Sequence, residues 1–253
     1  MNKCIRIDCY QTSANYKKPM SVEIGESYRL PPYSTVLGLV HNVCGFKEYH
    51  PMQVSIQGEY VTVISDMYYR NLMGISYEPD RHHYKVPNSK GGYDGVTRGL
   101  GYNELIIGVN LVLHIKPEEK DFETVLNGLN NPAIYPSLGR YEDLLRIDKV
   151  SIVELEPAEE INLQYNAYIP ESILQDSVLA NNCTRFTLNK VYKIDRKRNC
   201  RIWEKVKAYH YVKGSNVLLE SPTGLVEKRT KLGVFFAWEN ILQKSMEPKN
   251  TKL

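Results

Sequence analysis

The sequence predicts an α+β fold, with a first part that alternates strands and helices and a second part that is mostly β. Three observations support this. Apolar residues alternate with polar ones along several short stretches, apolar residues recur at helical spacing in two places, and turn-forming residues separate these stretches. Hydrophobic residues make up 42% and charged residues 24% of the chain, which is typical of a globular protein that buries a core.

The first part, residues 1–156, contains the predicted strands Lys3–Thr12, Val54–Ser65 (a strand or a hairpin), Asn103–Lys116 and Leu144–Leu155. The first helix follows Pro31 and Pro32 with a Ser/Thr cap and stops at Gly45. The second helix opens with acidic residues after Pro117, where the helix dipole favours negative charge. The order βαββαβ is that of a ferredoxin-like domain, whose sheet face is the surface that RNA-recognition modules (RRM) use.

Between the second and third of these strands, the alternation is lost over residues 66–102. The segment is rich in turn formers and charge, and it contains the sequence His82-His83-Tyr84-Lys85. Loops this long inside compact domains are usually functional or disordered. We therefore expect a long functional insertion here.

Residues 157–253 predict a C-terminal antiparallel β region, with its boundary near Pro157–Pro170. Its predicted segments are Thr184–Ile194, Cys200–Lys213, Ser215–Glu220 and Leu225–Trp238. Residues 181–253 carry 16 Lys and Arg against 6 Asp and Glu, whereas residues 1–180 carry 16 against 23. A chain divided in this way can face a polyanion with one end and a protein partner with the other.

Composition and motifs also exclude several classes of protein. Apolar runs fall far short of the roughly 20 residues that span a bilayer, and no apolar leader opens the chain, so we expect a cytoplasmic protein without a membrane partner. The five cysteines are scattered and form no Cys-x-x-Cys pair, which argues against a disulfide framework and a zinc site. No phosphate-binding loop, Ser-His-Asp set or metal-ligand motif is present, and we expect neither cofactor nor metal.

Three stretches of residues 1–156 together resemble a known family. They are the Pro-Pro-x-Ser run and glycine-containing helix of Tyr28–Gly45, the Arg-Gly-Leu-Gly run of Arg98–Leu105, and the Ser-Leu-Gly-Arg run of Pro136–Asp143. In this order they resemble the CRISPR-associated RAMP proteins of Cas family five, which cap the guide RNA in type I Cascade complexes. The motifs are most similar to those of the type I-B branch.

The resemblance implies a function in antiviral defence. It implies a ferredoxin-like domain whose helix start and glycine loops hold the 5′ handle of the guide RNA (crRNA). It also implies a thumb, here residues 66–102 with Arg81–Lys85, that packs against the Cascade backbone subunit and the guide–target duplex. The implied protein is a non-catalytic RNA-binding subunit that also contacts the Cascade large subunit.

The start of the first helix is one candidate RNA site. Arg29, Tyr33 and Ser34 surround exposed backbone N–H groups, which together with the helix dipole suit a phosphate. The alternative is that these residues only cap a helix, with Arg29 as a solvated charge. Arg98 lies in a glycine-rich run, and its glycines would let the backbone approach nucleic acid or a partner.

The second glycine turn is another candidate RNA site. Arg140, beside Gly139, can clamp a phosphate or stack on a base. The alternative is an ordinary turn in which Arg140 pairs with Glu142 or Asp143.

The strongest concentration of positive charge lies between residues 190 and 213, with 9 basic against 2 acidic residues. It includes Arg196, Lys197 and Arg198. Interleaved with it are aromatic faces on which bases can stack, namely Tyr192, Trp203, Tyr209 and Tyr211. We predict contact with the guide handle or with target DNA near the PAM. A solvated basic hairpin is the alternative.

The cluster His82, His83 and Lys85 raises an alternative function, a metal-independent endoribonuclease that processes precursor crRNA. Such enzymes use His or Tyr to help a 2′-hydroxyl attack the adjacent phosphate, and Lys to stabilise the developing charge. The related type I-C branch processes guide RNA in this way. The match is one of residue type and not of a shared motif, so we expect no catalysis.

Overall fold

Strands, nearly all of them antiparallel, make up just over half of the residues that the computed structural model describes, which are 3–21, 24–175, 183–220 and 223–237. The strands within these residues are β1 (Lys3–Ala14), β2 (Tyr16–Lys17), β3 (Ile24–Gly25), β4 (Ser27–Tyr28), β5 (Met52–Glu59), β6 (Thr62–Ser76), β7 (Tyr84–Pro87), β8 (Tyr93–Pro117), β9 (Arg146–Pro157), β10 (Glu160–Asn162), β11 (Asn166–Pro170), β12 (Cys183–Asp195), β13 (Cys200–Tyr211), β14 (Asn216–Leu218), β15 (Leu225–Glu227) and β16 (Gly233–Val234). The helices are α1 (Tyr33–Val43) and α2 (Phe122–Asn130), with 3-10 turns at Glu119–Asp121 and Glu171–Ile173. None of the helices in these ranges is long and apolar enough to cross a membrane.

Four strands form the centre of the main sheet in the order β5–β8–β1–β9, and each pair of neighbours is antiparallel. Helix α1 lies between β1 and β5 in the chain, and α2 lies between β8 and β9. The predicted order of strand, helix, strand, insertion, strand, helix and strand is therefore present. Ile7 of β1 lies opposite Leu113 of β8 and Val150 of β9.

Both helices cover one face of this sheet and form the largest hydrophobic core with it. Alternate residues of the strands, such as Ile5, Ile7 and Leu113, point to this face because the side-chain period of a strand is two. Helix α1 contributes side chains that recur at helical spacing. These are Tyr33, Val36, Leu37, Leu39, Val40 and Val43.

Helix α1 begins directly after Pro31 and Pro32, whose restricted φ angles suit the first turn of a helix. Pro32 occupies the N-cap position and no side chain caps the helix, so the predicted Ser/Thr cap is wrong. The backbone N–H of Thr35 instead donates to the Pro32 carbonyl (3.0 Å). Gly45 follows the helix with φ +68°, a left-handed conformation that favours glycine, as predicted.

The C-terminal segment 232–237 covers the opposite face of the sheet at its centre, and its residues are buried. Gln57 donates to the Gly233 carbonyl (2.7 Å), and Ser55 accepts from the Phe235 N–H (2.9 Å). The sheet face that RNA-recognition modules use is therefore covered here at the central strands. A strongly apolar segment far along the chain buries that face.

A buried polar network joins this side of the sheet to β15. Arg6 donates two hydrogen bonds to the Glu227 carboxylate (3.0 and 3.1 Å), His114 donates a third (2.7 Å), and Thr230 also donates to it. Burial alone would raise the pKa of Glu227, but the hydrogen bonds from His114 and Thr230 and the charge of Arg6 lower this pKa to about 2. Glu227 is therefore ionised and fixed between three elements.

The insertion is an antiparallel ribbon and not a loop. Strand β6 pairs with β8 from Thr62 opposite Ile107 to Ser76 opposite Asp94, and β7 adds to the other edge of β8 at Tyr84 opposite Val96. The expectation of a loop is wrong, and the alternation is lost because both faces of the ribbon are largely exposed. Without a buried face, the sequence has no reason to alternate.

A glycine marks the corner where β8 changes partners. Gly108 has φ +64°, and a Cβ atom there would lie 2.7 Å from Cγ2 of Val61. On one side of it β8 pairs with β6, and on the other it pairs with β5, so β5 and β6 form no hairpin with each other. The run of Arg98 and its glycines lies inside β8, whereas the sequence placed it before the strand.

The C-terminal strands are antiparallel as predicted, but most of them extend the same sheet, and only β10 and β14 among the described strands of this region form a separate pair. Strand β11 pairs with β5 at Ala167 opposite Gln57, β13 pairs with β11, and β12 pairs with β13. At the far edge β15 pairs with β9 and with β16. The predicted segment Leu225–Trp238 forms β15 and β16, and Trp238 lies outside the described residues.

We expect Glu227→Gln to lower the free energy of unfolding by about 3 kcal/mol, because it removes the buried charge that Arg6, His114 and Thr230 share and leaves Arg6 only its ion pair with Asp8. Urea denaturation at neutral pH measures this. The wild-type protein should also lose stability as the pH falls from about 4.5 towards 2, since the unfolded chain takes up a proton that the folded Glu227 resists. The variant should lose less over that range.

Glu118→Gln is the matched control, because Glu118 pairs with Lys120 on the exposed surface (2.7 Å). This substitution should lower the free energy of unfolding by less than about 1 kcal/mol. Equal costs for the two substitutions, or identical acid dependence of Glu227→Gln and wild type, would contradict the role of the network.

Candidate nucleic-acid groove

A groove runs between α1 and the hairpin of β12 and β13, and we call it the α1 groove. Its larger part has a volume of about 420 Å³ and includes Ser34, Gly38, Lys47, Tyr192 and Trp203 among its lining residues. A second part of about 320 Å³ shares Ser34, Gly38 and Trp203 and reaches the turn at Ser137 and Gly139. The groove therefore brings together the first helix, the second glycine turn and the basic hairpin, which are far apart in the sequence.

Helix α1 opens the groove because it presents small residues to it. Ser34 and Gly38 are four residues apart and so lie on one side of the helix. A Cβ atom at Gly38 would meet nothing within 4 Å. A glycine inside an 11-residue helix was the sequence signal for this space, and sequence reasoning missed it.

The hairpin supplies an aromatic and basic wall. Tyr192 and Trp203 lie opposite each other on β12 and β13, with ring centroids 5.1 Å apart and planes at 62°. The guanidinium of Arg201 lies 4.5 Å from the centroid of the Tyr192 ring. Aromatic rings flanked by arginine provide stacking surfaces for unpaired bases. Tyr209 and Tyr211, also predicted as stacking faces, are instead buried in a separate hydrophobic core.

The predicted basic turn is the exposed tip of this hairpin. The backbone N–H groups of Lys197 and Arg198 donate to the Asp195 carboxylate (2.9 and 3.3 Å), which fixes the turn, and Arg196 precedes them. Lys190, by contrast, is buried at the base of the groove and donates to the Ala237 carbonyl (2.7 Å). The hairpin thus carries positive charge from the groove outwards to its tip.

The three residues predicted at the helix start are separated in the structure. Ser34 lines the groove. Tyr33 is fully buried with its ring 6.2 Å from that of Tyr168, so the prediction that it contacts RNA does not fit. Arg29 pairs with Glu104 (3.5 Å) outside the groove.

The turn at Ser137–Arg140 joins the groove through its backbone. Gly139 has φ +112°, and a Cβ atom there would lie 2.8 Å from an Asp143 carboxylate oxygen. The Arg140 guanidinium binds both Asp143 (2.7 Å) and Glu142 (3.0 Å), which is the alternative that the sequence left open. Arg140 therefore stabilises the turn, while Ser137 and Gly139 face the groove.

His41 lies in the wall of the groove, but its hydrogen bonds leave it no free ring nitrogen. Its Nδ1 donates to the Leu37 carbonyl (2.8 Å), and its Nε2 accepts from the His50 N–H (3.0 Å). Burial lowers the pKa of His41, so the ring is neutral at neutral pH. His41 packs on Tyr49, with parallel rings 5.5 Å apart, and so shapes the wall without serving as an acid or a base.

The ribbon of β6, β7 and β8 places the predicted thumb residues away from the groove. Arg98 lies between the rings of Tyr69 and Tyr84, at 5.4 and 5.0 Å from their centroids. Lys85 lies over the rings of Tyr93 and Tyr77, at 4.9 and 5.8 Å. These cations are held against aromatic rings and do not converge on one point.

The paired histidines of the ribbon differ from each other. His82 is 8% exposed, its Nδ1 accepts from the Glu78 N–H (2.9 Å), and its ring packs against Gly95. His82 is therefore a packed residue of the ribbon and not a surface residue. His83 is exposed, and Arg81 pairs with Glu78 (3.7 Å).

One face of the ribbon exposes a continuous apolar and aromatic surface, which we call the ribbon face. Some of its residues lie opposite each other on β6 and β8, and others hold the Arg98 guanidinium between their rings. The residues are Met67, Tyr69, Tyr84, Leu100 and Tyr102, each more than 40% exposed. Large apolar surfaces of this kind in soluble proteins mark contacts with other molecules.

No group of three His, Cys, Asp or Glu side chains within the described parts of the chain converges as a metal site requires. The candidate functional features of the described residues are a groove with stacking rings and basic charge, and an apolar face of the ribbon.

The comparisons with known proteins agree with such a molecule. The family described as CRISPR-associated protein (Cas_Cas5) matches residues 4–196. Because this is well over half of the chain, the protein belongs to the Cas5 family of CRISPR-associated proteins. None of the curated protein sequences matches it.

Two solved structures share its fold. A chain of a CRISPR RNA-guided surveillance complex has a TM-score of 0.51 and 14% identity, covering 86% of this chain and 92% of that chain. A CRISPR protein from Archaeoglobus fulgidus has a TM-score of 0.50 and 11% identity, covering 92% of this chain and 97% of that chain. At these identities the likeness shows the fold alone.

We expect Gly38→Ala to raise the free energy of unfolding by about 1 kcal/mol, because alanine is the better helix former and its methyl group meets open space. Urea denaturation measures this. A loss of stability would show that the groove is closed at this point.

Proposed function

We propose that this protein is a non-catalytic subunit of an RNA-guided CRISPR effector complex of the Cascade type, and that the α1 groove holds the 5′ handle of the crRNA. The main support for the proposal is that Ser34, Trp203 and the Ser137–Gly139 turn line the same groove. Family membership supports the CRISPR context, and the geometry supports single-stranded RNA as the ligand. The proposal places the protein in the cytoplasm together with its guide RNA.

The groove suits a short unpaired RNA segment. Its two parts, of about 420 and 320 Å³, form a channel and not a deep closed pocket. Trp203 and Tyr192 offer faces on which bases stack, while Lys47 and Arg201 lie where phosphates would pass. The first turn of α1, with Ser34, adds a site that favours a phosphate.

The fold type, the role of the hairpin tip and the subtype are each supported by a different feature. The strand order β5–β8–β1–β9 with two intervening helices supports a ferredoxin-like domain of the RAMP kind. The exposed tip at Arg196–Arg198 suits the phosphates of target DNA next to the PAM, or a surface shared with the large subunit. The type I-B assignment rests on the sequence motifs and stays a prediction.

We expect Gly38→Trp to fill the α1 groove and weaken binding of guide RNA at least tenfold, because the indole occupies the space for the handle. The fold should survive, since nothing lies within 4 Å of the added Cβ. Filter binding of guide RNA with and without its handle measures the effect.

Gly38→Ala is the matched control and should bind as the wild type does. Binding should also depend steeply on salt, as phosphate contacts require. Equal affinity of the wild type for RNA with and without the handle would refute the handle site, even if binding itself is strong.

The ribbon face is proposed to dock on the adjacent backbone subunit. We expect the double variant Tyr69→Lys and Leu100→Glu to abolish assembly of the complex, because it places charges in an apolar contact. Size-exclusion chromatography of co-expressed subunits measures assembly.

Leu72→Glu is the control, since Leu72 is also exposed but lies on the other face of the ribbon, opposite Thr97. It should assemble normally. Normal assembly of the double variant would contradict docking through the ribbon face.

The proposal of a non-catalytic role is supported by the state of His82, whose ring is packed and hydrogen-bonded. We expect the triple variant His82→Ala, His83→Ala and Lys85→Ala to leave the ends of guide RNA unchanged. Incubation of wild type and variant with precursor RNA in EDTA tests this. Cleavage at the handle boundary by the wild type alone would establish the endoribonuclease instead, since a lost acid or base costs about 10²–10⁴-fold in rate.

A further inference from the structure

A second polar cavity lies on the opposite face of the sheet from the helices, and we call it the β9 cleft. Its volume is about 720 Å³, and it lies between β9 and the turn that follows β15. Arg6 belongs to this face, because the neighbouring residues Ile5 and Ile7 point into the helix-covered core. The residues that line the cleft are Arg6, Lys149, Ser151, Ile152, Val153, Glu154, Glu227, Lys228, Arg229 and Thr230.

The floor of the cleft is fixed by the buried network. The Arg6 guanidinium is held by Asp8 (2.7 Å) and by Glu227 (3.0 Å). Thr230 binds Glu227 as well and accepts from the Leu232 N–H (3.3 Å). The cleft is therefore a formed feature of the fold.

The lining of the cleft carries an excess of positive charge, although the Asp8 carboxylate binds Arg6 at the floor. Lys228 pairs with Glu154 (3.6 Å) and Glu227 pairs with Arg6, which leaves Lys149 and Arg229 as the remaining charged residues of the lining. Neither Lys149 nor Arg229 makes an ion pair or a side-chain hydrogen bond within the portion of the chain that the structure describes. Four basic and two acidic residues give the lining a net charge of +2.

This chemistry fits phosphate groups better than a protein segment. Ser151 contributes a hydroxyl beside the free cations, and such a set binds phosphate oxygens. The Thr230 hydroxyl is already used by Glu227 and only shapes the lining. The lining contains no aromatic residue, so bases have no surface to stack on, and protein partners find no large apolar pocket for an anchor.

We propose that the β9 cleft binds the sugar–phosphate backbone of a nucleic acid without reading its sequence. The site is independent of the α1 groove, because the two lie on opposite faces of the sheet and share no lining residue. The cleft thus gives the protein a second nucleic-acid contact on the face that the C-terminal segment builds.

The test is the double variant Lys149→Glu and Arg229→Glu of the full chain, compared with wild type by fluorescence anisotropy. The probes are an oligouridine without a handle and a duplex DNA of mixed sequence. Affinity for at least one probe should fall about tenfold at moderate salt. The slope of log affinity against log salt should fall by about 1.4 for the single strand, as expected for two lost phosphate contacts.

Three controls decide the outcome. Lys17→Glu with Lys120→Glu makes the same change of charge away from both cavities and should cost much less. Lys149→Gln with Arg229→Gln keeps the test valid if charge reversal prevents folding, and it should show a smaller loss in the same direction. Gly38→Trp should retain binding of both probes at the cleft, which separates this site from the groove.

The loss of one probe or of both supports the proposal and identifies the strand type. Unchanged affinity for both probes, or an equal loss in the Lys17 and Lys120 variant, would overturn it. If the Lys149→Glu and Arg229→Glu variant binds both probes normally but fails to assemble into the complex, the proposal is overturned, and the cleft instead binds an acidic segment of a partner protein.

Discussion

Strand β8 is the constraint on which the rest of the structure depends. It runs for 25 residues, about 80 Å when extended, and pairs with β1, β5, β6, β7 and β3 along its length. Its C-terminal half lies in the core, where Leu111, Leu113 and Ile115 are buried, and its N-terminal half forms the exposed ribbon. Gly108 allows the change of partner between the two halves. Because one strand belongs to both, the ribbon face is held in a fixed relation to the sheet that carries the α1 groove.

The two nucleic-acid surfaces follow from what covers each face of that sheet. On one face, α1 packs with large residues inwards and leaves Ser34 and Gly38 outwards, so the hairpin of β12 and β13 can stand beside it and enclose a groove. On the other face, the segment 232–237 buries the centre and the β15 turn leaves a cleft at the edge. The basic excess of the C-terminal part is thereby distributed to both faces: Arg201 lies by the groove, and Arg229 lies by the cleft.

The sequence predicted the elements that have one buried face, since burial imposes a period on them. Strands β1 and β9 and both helices were found in this way, and Gly45 was found from its role as a helix end. Sequence analysis failed in two situations. The ribbon has no buried face, so its sequence shows no period. Tyr33 and His82 are buried by residues distant in the chain: Tyr33 looked accessible at a helix start but is covered by Tyr168, and His82 looked polar but packs on Gly95. The groove itself was out of reach because it needs β12 and β13 to lie beside α1, a contact about 150 residues apart in the chain.

The most direct test of the central claim is ultraviolet crosslinking of handle-bearing guide RNA in the assembled complex, with the crosslinked peptides identified by mass spectrometry. Stacked aromatic residues crosslink efficiently to bases, so the account predicts that handle nucleotides crosslink to Trp203 and Tyr192 in the α1 groove. Handle crosslinks confined to the ribbon or to the β9 cleft, with none in the groove, would contradict it.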